Sequence, residues 1–421
     1  MASEDFAAAA AEVVAANGIK VYLSKRAAPT PVITYEVLKK GAAGAVIITA
    51  SHNPATWNGF KYKAEYASSA SPEITAQIEN NVSDILLGGG VKQIPLADGL
   101  KNGLIHYIDL DPTYLSHISG LVNLDRIRGA GLRVVIDSMY GAGSGYFKAI
   151  LSGGSTQVEE INGERNPLFP GIQPEPIAQN LTRLSATVTE KGASVGLATD
   201  GDADRIGVVD ETGKFINPLQ LFALLALYLL EVRGERGPIV KTVTTTSMLY
   251  RLGKLFDVPV YETPVGFKYV APIMIQRDAL IGGEESSGFA FRGHMPDRDG
   301  ILAGLFFLDM MVVLGKTPSK LIDYLYQKVG PHFYSRIDHH FPTTERERVA
   351  KRIAEAKPDH IDGKRVARID TLDGFRITMD DESWLLIRLS GTEPLLRIYA
   401  EGGSQEWVLR LIEAGKRLAG I

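Results

Sequence analysis

Short, nearly unbroken apolar runs alternate with longer helical patterns three times along this chain, and that rhythm is what most narrows its fold. Residues 19–23, 45–49, 132–137, 194–199 and 239–243 read as strands, and 31–40, 179–191 and 219–232 as helices. Most of these strands are continuous apolar runs, as expected where both faces are covered. Strands alternating with helices predict α/β units around mostly parallel sheets. The rhythm breaks near residues 116 and 218 and fades near 330–335. Beyond that point, 337–341, 365–369, 374–379, 384–389 and 397–401 predict an antiparallel-rich sheet, closed by a helix over 406–418. A length of 421 residues exceeds what one core supports. The expected architecture is α/β: three consecutive α/β mixed-sheet domains (1–116, 117–218, 219–335) and a C-terminal α+β domain (336–421).

A formal net charge of -4 leaves no electrostatic footprint for nucleic acid or an anionic membrane. The absence of cysteine excludes disulfides, a thiol nucleophile and thiolate zinc, and is compatible with a cytoplasmic setting. The alanine-rich start carries Glu4, Asp5 and Glu12 without a basic region, so it reads as an amphipathic helix from Ser3 to Asn17, not a leader. The apolar stretches 219–230 and 301–314 contain Gln220 and Asp309 and are too short to span a bilayer. They predict buried helices.

Chemistry-bearing residues gather at strand ends. Ser51-His52-Asn53-Pro54 follows the strand 45–49, where α/β proteins place ligands. Pro54 and Asn58-Gly59 are turn formers able to present Ser51, with His52 and Lys61 at hand to position charge or move protons. Standing alone, the segment would better suit a polar turn with a capping serine. Asp200, Asp202 and Asp204 follow the strand 194–199 at every second position, which points them to one side of an extended chain. Oxygen donors without His or Cys favour Mg²⁺ over zinc, and Arg205 suits an oxyanion. A calcium loop is the rival, since Glu211 sits at its twelfth position, but Arg205 occupies the sixth, where glycine is required.

Two further loops are weaker. Gly283-Glu284-Glu285-Ser286 offers partners for sugar hydroxyls, and Gly266 and Lys268 lie in a glycine turn upstream. Arg388, Ser390, Gly391 and Thr392, with Arg397 nearby, form a candidate anion cradle. Gly141-x-Gly143-x-Gly145 has the wrong spacing for a dinucleotide site and reads as a tight βα turn. His339-His340 reads as a strand feature.

Taken in order, Thr49-Ala50-Ser51-His52-Asn53-Pro54 with Asn58-Gly59-Phe60-Lys61, Asp200-Gly201-Asp202-Ala203-Asp204-Arg205, Gly283-Glu284-Glu285-Ser286 and Arg388-Leu389-Ser390-Gly391-Thr392-Glu393-Pro394 resemble the four loops of the α-D-phosphohexomutase family, the phosphoglucomutases and phosphomannomutases. The resemblance implies four domains around a central cleft, one loop from each. It implies a phosphorylated Ser51 that binds Mg²⁺ with Asp200, Asp202 and Asp204, and a sugar 1,6-bisphosphate, glucose 1,6-bisphosphate first, as activator and intermediate. Lys61 matches the family's acid/base candidate, Glu284 and Ser286 its sugar-hydroxyl contacts, and Arg388, Ser390, Gly391 and Thr392 its grip on the non-reacting phosphate. Glu-Glu-Ser after Gly283 resembles phosphoglucomutases more than phosphoglucosamine mutases, so glucose phosphate is expected first and mannose phosphate second. The expected partner is a small sugar phosphate, in a monomer or homodimer. Family members usually begin with a Thr-Ser-Gly-x-Arg-Gly segment, a helix and a strand. The chain starts at what resembles the following helix, roughly fifty residues on by α/β unit size. An incomplete first sheet is therefore expected, and with it the alternative of a non-catalytic sugar-phosphate-binding fragment. A phosphatase sharing the acidic loop and a nicotinamide enzyme are more distant rivals.

Overall fold

The structure, a computed structural model, describes residues 2–390 and 395–421. The second and third domains follow the expected alternation, and the fourth has the expected antiparallel sheet. In the second domain, Arg133–Asp137 lies between Gln157–Ile161 and Val195–Thr199, parallel to both, and Ile206–Val209 and Phe215–Ile216 complete a five-stranded sheet antiparallel at that edge. Val195–Thr199 is buried along its whole length, which is why it shows no alternation. In the third, Ile239–Thr242 pairs in parallel with Val260–Thr263 and Ile281–Gly283, and Phe289–Phe291 adds an antiparallel edge. The C-terminal sheet is antiparallel, with Leu395–Gly402 between Phe333–His340 and Trp384–Leu389, and the helix Gln405–Ala419 covers one face.

The first domain departs from a single mixed sheet. Val21–Ser24 pairs in parallel with Ile105–Ile108, while Gly44–Ile48 pairs antiparallel with Phe60–Ala64, and no hydrogen bonds join the two pairs among the described residues. The helix Ser3–Ala16 packs against both pairs.

Both long apolar stretches are buried helices, and among the described residues no single helix is long and apolar enough to cross a membrane. The expected helix 219–232 differs in detail: an α-helix over Pro218–Leu227 continues as a π-turn over Tyr228–Val232. Asp309 survives inside the apolar helix Gly300–Leu314 because Arg126 grips it with two hydrogen bonds, at 2.8 and 2.6 Å. That helix starts at Asp299, which accepts from Leu302 N, and its first amide, Gly300 N, donates to Ala203 O at 3.1 Å. It is thereby seated on the aspartate loop.

The third and fourth domains meet through Glu262, which receives both terminal nitrogens of Arg376 and the Lys241 ammonium. Burial opposes the carboxylate's charge, but Lys241 and Arg376 outweigh it and hold the Glu262 pKa at about 2. A depressed folded pKa contributes stability that is present above the unfolded carboxylate range and is lost as pH falls through the folded value. We expect Glu262→Gln to destabilise the junction at neutral pH and to flatten the pH dependence of denaturant unfolding between about 4.3 and about 2. An unchanged acid limb would remove this pair from the account of the interface.

Candidate active site

The aspartate loop leaves the end of Val195–Thr199 and curls back on itself. Ala203 takes a left-handed φ of 57°, Ala203 N donates to Asp200 O and Arg205 N to Asp200 Oδ1, both at 3.1 Å. The curl brings one carboxylate oxygen from each of Asp200, Asp202 and Asp204 within 4.8 Å of one another, all three residues buried. Burial, then the neighbouring Asp202 and Asp204 charges, push the Asp200 carboxyl well above its ordinary range. Burial works the same way on Asp202, but Lys61 and hydrogen bonds from Lys61, Asp200 and Thr30 reverse it and hold that carboxyl low. Asp202 Oδ1 and Asp204 Oδ1 are buried without a hydrogen-bond partner among the described residues. Orphaned buried carboxylate oxygens beside like charges are costly, and an oxygen-only donor set suits a hard divalent cation. The residues present therefore fit such an ion. The calcium-loop rival does not fit, because Glu211 points elsewhere and accepts from Ser319 N at 3.2 Å at the start of the helix Pro318–Val329.

The serine loop comes to this cluster from the first domain. Ser51 has a left-handed φ of 54°, fixed in part by its amide donating to Thr49 Oγ1 at 2.8 Å. Its Oγ donates to Asp200 Oδ2 at 2.9 Å. Thr30 N donates to Asp202 O at 2.8 Å and Thr30 Oγ1 to Asp202 Oδ2 at 2.9 Å, so the start of the helix Thr30–Lys40 is pinned to the same loop. Lys61, opposite Ile47 in the strand pair, donates to Asp202 Oδ2 at 3.0 Å. Burial opposes the Lys61 charge, but Asp202 and Asp204 outweigh it and raise the pKa. Burial, then Arg205, lowers the His52 pKa to about 3, so this imidazole is neutral at neutral pH. The charge beside Ser51 is therefore carried by Lys61 and not by His52. Where the two loops touch there is no spare space: a Cβ on Gly201 would lie 2.3 Å from Ser51 O.

Arg205 donates from Nη1 to Glu175 Oε1 at 3.2 Å, while its Nε is buried without a hydrogen-bond partner among the described residues. Glu284 is not on a surface turn. It is buried, accepts from Gly266 N at 3.0 Å and pairs with Arg298 at 3.2 Å, and burial, the largest influence, raises its pKa. Lys268 is exposed with its ammonium 5.1 Å from the Tyr269 ring, and Ser286 is half-buried nearby in sequence. Glu285, on which the glucose expectation rests, accepts from Tyr334 Oη at 2.8 Å and lies near Arg336. Arg388 Nε donates to Asp373 Oδ1 at 2.9 Å, and Asp373 Oδ2 accepts from Val265 N at 2.8 Å, so the fourth loop is tied to the Gly266 turn. Ser390 is buried and its carbonyl accepts from Arg346 at 2.7 Å. Gly391 and Thr392 lie outside the described residues. Arg397 lies 3.4 Å from Asp338.

Sequence reasoning missed Arg298. Its guanidinium lies 2.6 Å from Asp204 and 3.2 Å from Glu284, joining the aspartate loop to the glutamate loop. Glu175, 3.9 Å from His52 and 3.2 Å from Arg205, was missed too. A signal for Arg298 existed in Asp297-Arg298-Asp299, three charges abutting the most apolar helix of the chain. Glu175 had none.

Sequence comparison settles the kinship. The four phosphoglucomutase/phosphomannomutase domain profiles, α/β/α domains I, II and III and the C-terminal domain, match residues 1–87, 112–213, 217–329 and 341–415 in order. The chain belongs to the phosphoglucomutase/phosphomannomutase family. It is thus an enzyme of the phosphohexomutase kind, an isomerase that works as an intramolecular phosphotransferase. It is 32% identical to a phosphoglucomutase/phosphomannomutase of Thermococcus kodakarensis, over 93% of this chain and 82% of that one. It is 29% identical to a phosphoglucosamine/phosphogalactosamine mutase of Sulfurisphaera tokodaii, over 95% and 85%. A Thermus thermophilus crystal structure assigned as a phosphomannomutase superposes with a TM-score of 0.85 at 32% identity, covering 100% of this chain and 88% of that one.

The loop contact yields a direct expectation for this phosphohexomutase. Gly201→Ala should force the Ser51 and Asp200 loops apart and lower mutase turnover by about 10²-fold, since displacing a reacting group by about 1 Å costs that much. Circular dichroism and the melting profile should show a folded protein. Wild-type turnover in a folded Gly201→Ala enzyme would mean the loop contact is not what positions Ser51.

Proposed function

We propose that this chain interconverts hexose 1-phosphate and hexose 6-phosphate, glucose first and mannose second, with Ser51 carrying the phosphoryl group and a hexose 1,6-bisphosphate as intermediate. The single observation that supports this most is the Ser51 hydroxyl hydrogen-bonded at 2.9 Å to one member of a buried three-carboxylate cluster on another domain. Phosphoryl transfer needs in-line placement and charge neutralisation more than covalent chemistry. Asp200, Asp202 and Asp204, with the phosphate on Ser51, would hold Mg²⁺, which would supply that neutralisation.

In this reading glucose 1,6-bisphosphate primes the enzyme by phosphorylating Ser51. The free hydroxyl of a bound hexose phosphate then attacks the phosphorus, the bond from phosphorus to Ser51 Oγ breaks, and a bond to the sugar oxygen forms. Lys61 gives its proton to Oγ and takes the proton of the attacking hydroxyl, so its charge is restored after each transfer. Arg205 stabilises the charge that builds on the moving phosphoryl group. Glu284 and Ser286, with Gly266 and Lys268 alongside, hold the sugar, and Arg388, Ser390, Gly391 and Thr392 hold the phosphate that does not react. The bisphosphate turns over in the cleft and returns its other phosphoryl group to Ser51.

In a bisphosphate-primed glucose 1-phosphate assay, Ser51→Ala should lose at least about 10³-fold in turnover, because the hydroxyl that carries the phosphoryl group as a covalent intermediate is gone. Chelation should abolish wild-type activity and Mg²⁺ restore it. Undiminished turnover by Ser51→Ala would overturn the carrier assignment, and release of free phosphate without isomerised product would identify a phosphatase. The sugar preference is tested separately by kcat/KM on glucose, mannose and glucosamine 1-phosphates. A maximum on glucosamine 1-phosphate would remove the glucose preference and leave the mutase reading in place.

A further inference from the structure

A cavity of about 660 Å³ lies apart from the four loops and shares no lining residue with them. Its size is that of a small-molecule site. It opens between residues 119–125, the turn joining the helices Asp111–Leu121 and Leu124–Arg128, and the π-turn Tyr228–Val232 with Arg233 and Asp309 behind it. Its lining is polar and bears three arginines, each paired with a carboxylate: Asp309, Asp125 and, just outside the lining, Glu235.

Each arginine is held in place from behind. Arg126 uses Nε and Nη2 on Asp309, at 2.8 and 2.6 Å. Arg128 uses Nε on Ile150 O at 2.9 Å and Nη1 on Asp125 at 3.2 Å. Arg233 uses Nε on Glu235 and Nη1 on Leu121 O, both at 2.6 Å. Arg126 Nη1 and Arg128 Nη2 make no hydrogen bond among the described residues, and Arg233 also interacts with Tyr228 at the cavity wall. Three anchored guanidinium groups around one cavity offer nitrogens suited to a phosphate-like anion, and little side-chain freedom would be lost on binding. The π-turn places Arg233 there, and such turns concentrate at functional positions.

The cavity is also coupled to the aspartate loop. Asp309, which anchors Arg126, sits on the helix Gly300–Leu314, a rod of 15 residues and about 22 Å. The start of that helix, nine residues before Asp309, donates Gly300 N to Ala203 O, between Asp202 and Asp204. An anion on Arg126 Nη1 would share that guanidinium with Asp309 and so alter how this helix bears on the loop.

We propose that this cavity is an effector site for a small phosphate-bearing metabolite, bound by Arg126, Arg128 and Arg233, that alters turnover through the helix Gly300–Leu314. Pyrophosphate is the probe, and two variants test the site. Arg128→Gln/Arg233→Gln removes two of the donors. Gly120→Glu places a carboxylate at the mouth without removing any contact: an added Cβ meets nothing within 4 Å and the backbone there is not left-handed. Calorimetry on the wild type should find two equivalents of pyrophosphate, one at the four loops and one here, and each variant should bind one. At saturating substrate, pyrophosphate should change kcat at least about two-fold in the wild type and leave kcat of Gly120→Glu unchanged. Equal stoichiometry in the wild type and Gly120→Glu, or pyrophosphate raising KM alone in both, would overturn the proposal.

Discussion

Three buried carboxylates at alternate positions of one tight curl repel each other, and the architecture around them is arranged to tolerate that repulsion. Asp202 is answered by Lys61 and Thr30 from the first domain, and Asp204 by Arg298 from the third. Asp200 receives the Ser51 hydroxyl. The same charges that strain the loop thus draw the other domains to it. Separate pieces of chain converge on a cluster that no one domain could keep buried alone.

This convergence explains the seating of the longest apolar helix. Gly300–Leu314 is buried along most of its length, yet it begins at Asp299 and carries Asp309 within it. One charge caps its start and the other is taken up by Arg126 and Tyr228. The charges mark where this core element meets its neighbours: the aspartate loop at its start, and Arg126 of the helix Leu124–Arg128 further along.

The layered α/β plan was legible because strands such as Val195–Thr199 are buried on both faces and read as unbroken apolar runs. The aspartates were legible because carboxylates at every second position have few other uses at a strand end. Ser51 was less so: four residues around a serine describe many turns, and only the order of four loops made it specific. Charge states were not legible. His52 lies beside Ser51 in the chain, but burial and Arg205 keep it neutral, whereas Lys61, ten residues away, carries the charge. The first domain's two separate strand pairs depend on how the helix Ser3–Ala16 packs across them, which no local pattern encodes. Arg298 bridges loops that are distant in sequence, and such a bridge is visible only in three dimensions.

The central claim is that Ser51, Asp200, Asp202 and Asp204 form one cation site. Anomalous diffraction from crystals soaked in Mn²⁺ tests it without reference to turnover. A single strong peak is expected among the three aspartate carboxylates, within coordination distance of the Ser51 side chain or its phosphate. A peak elsewhere, or none, with Asp202 still bound to Lys61 and Thr30, would contradict it.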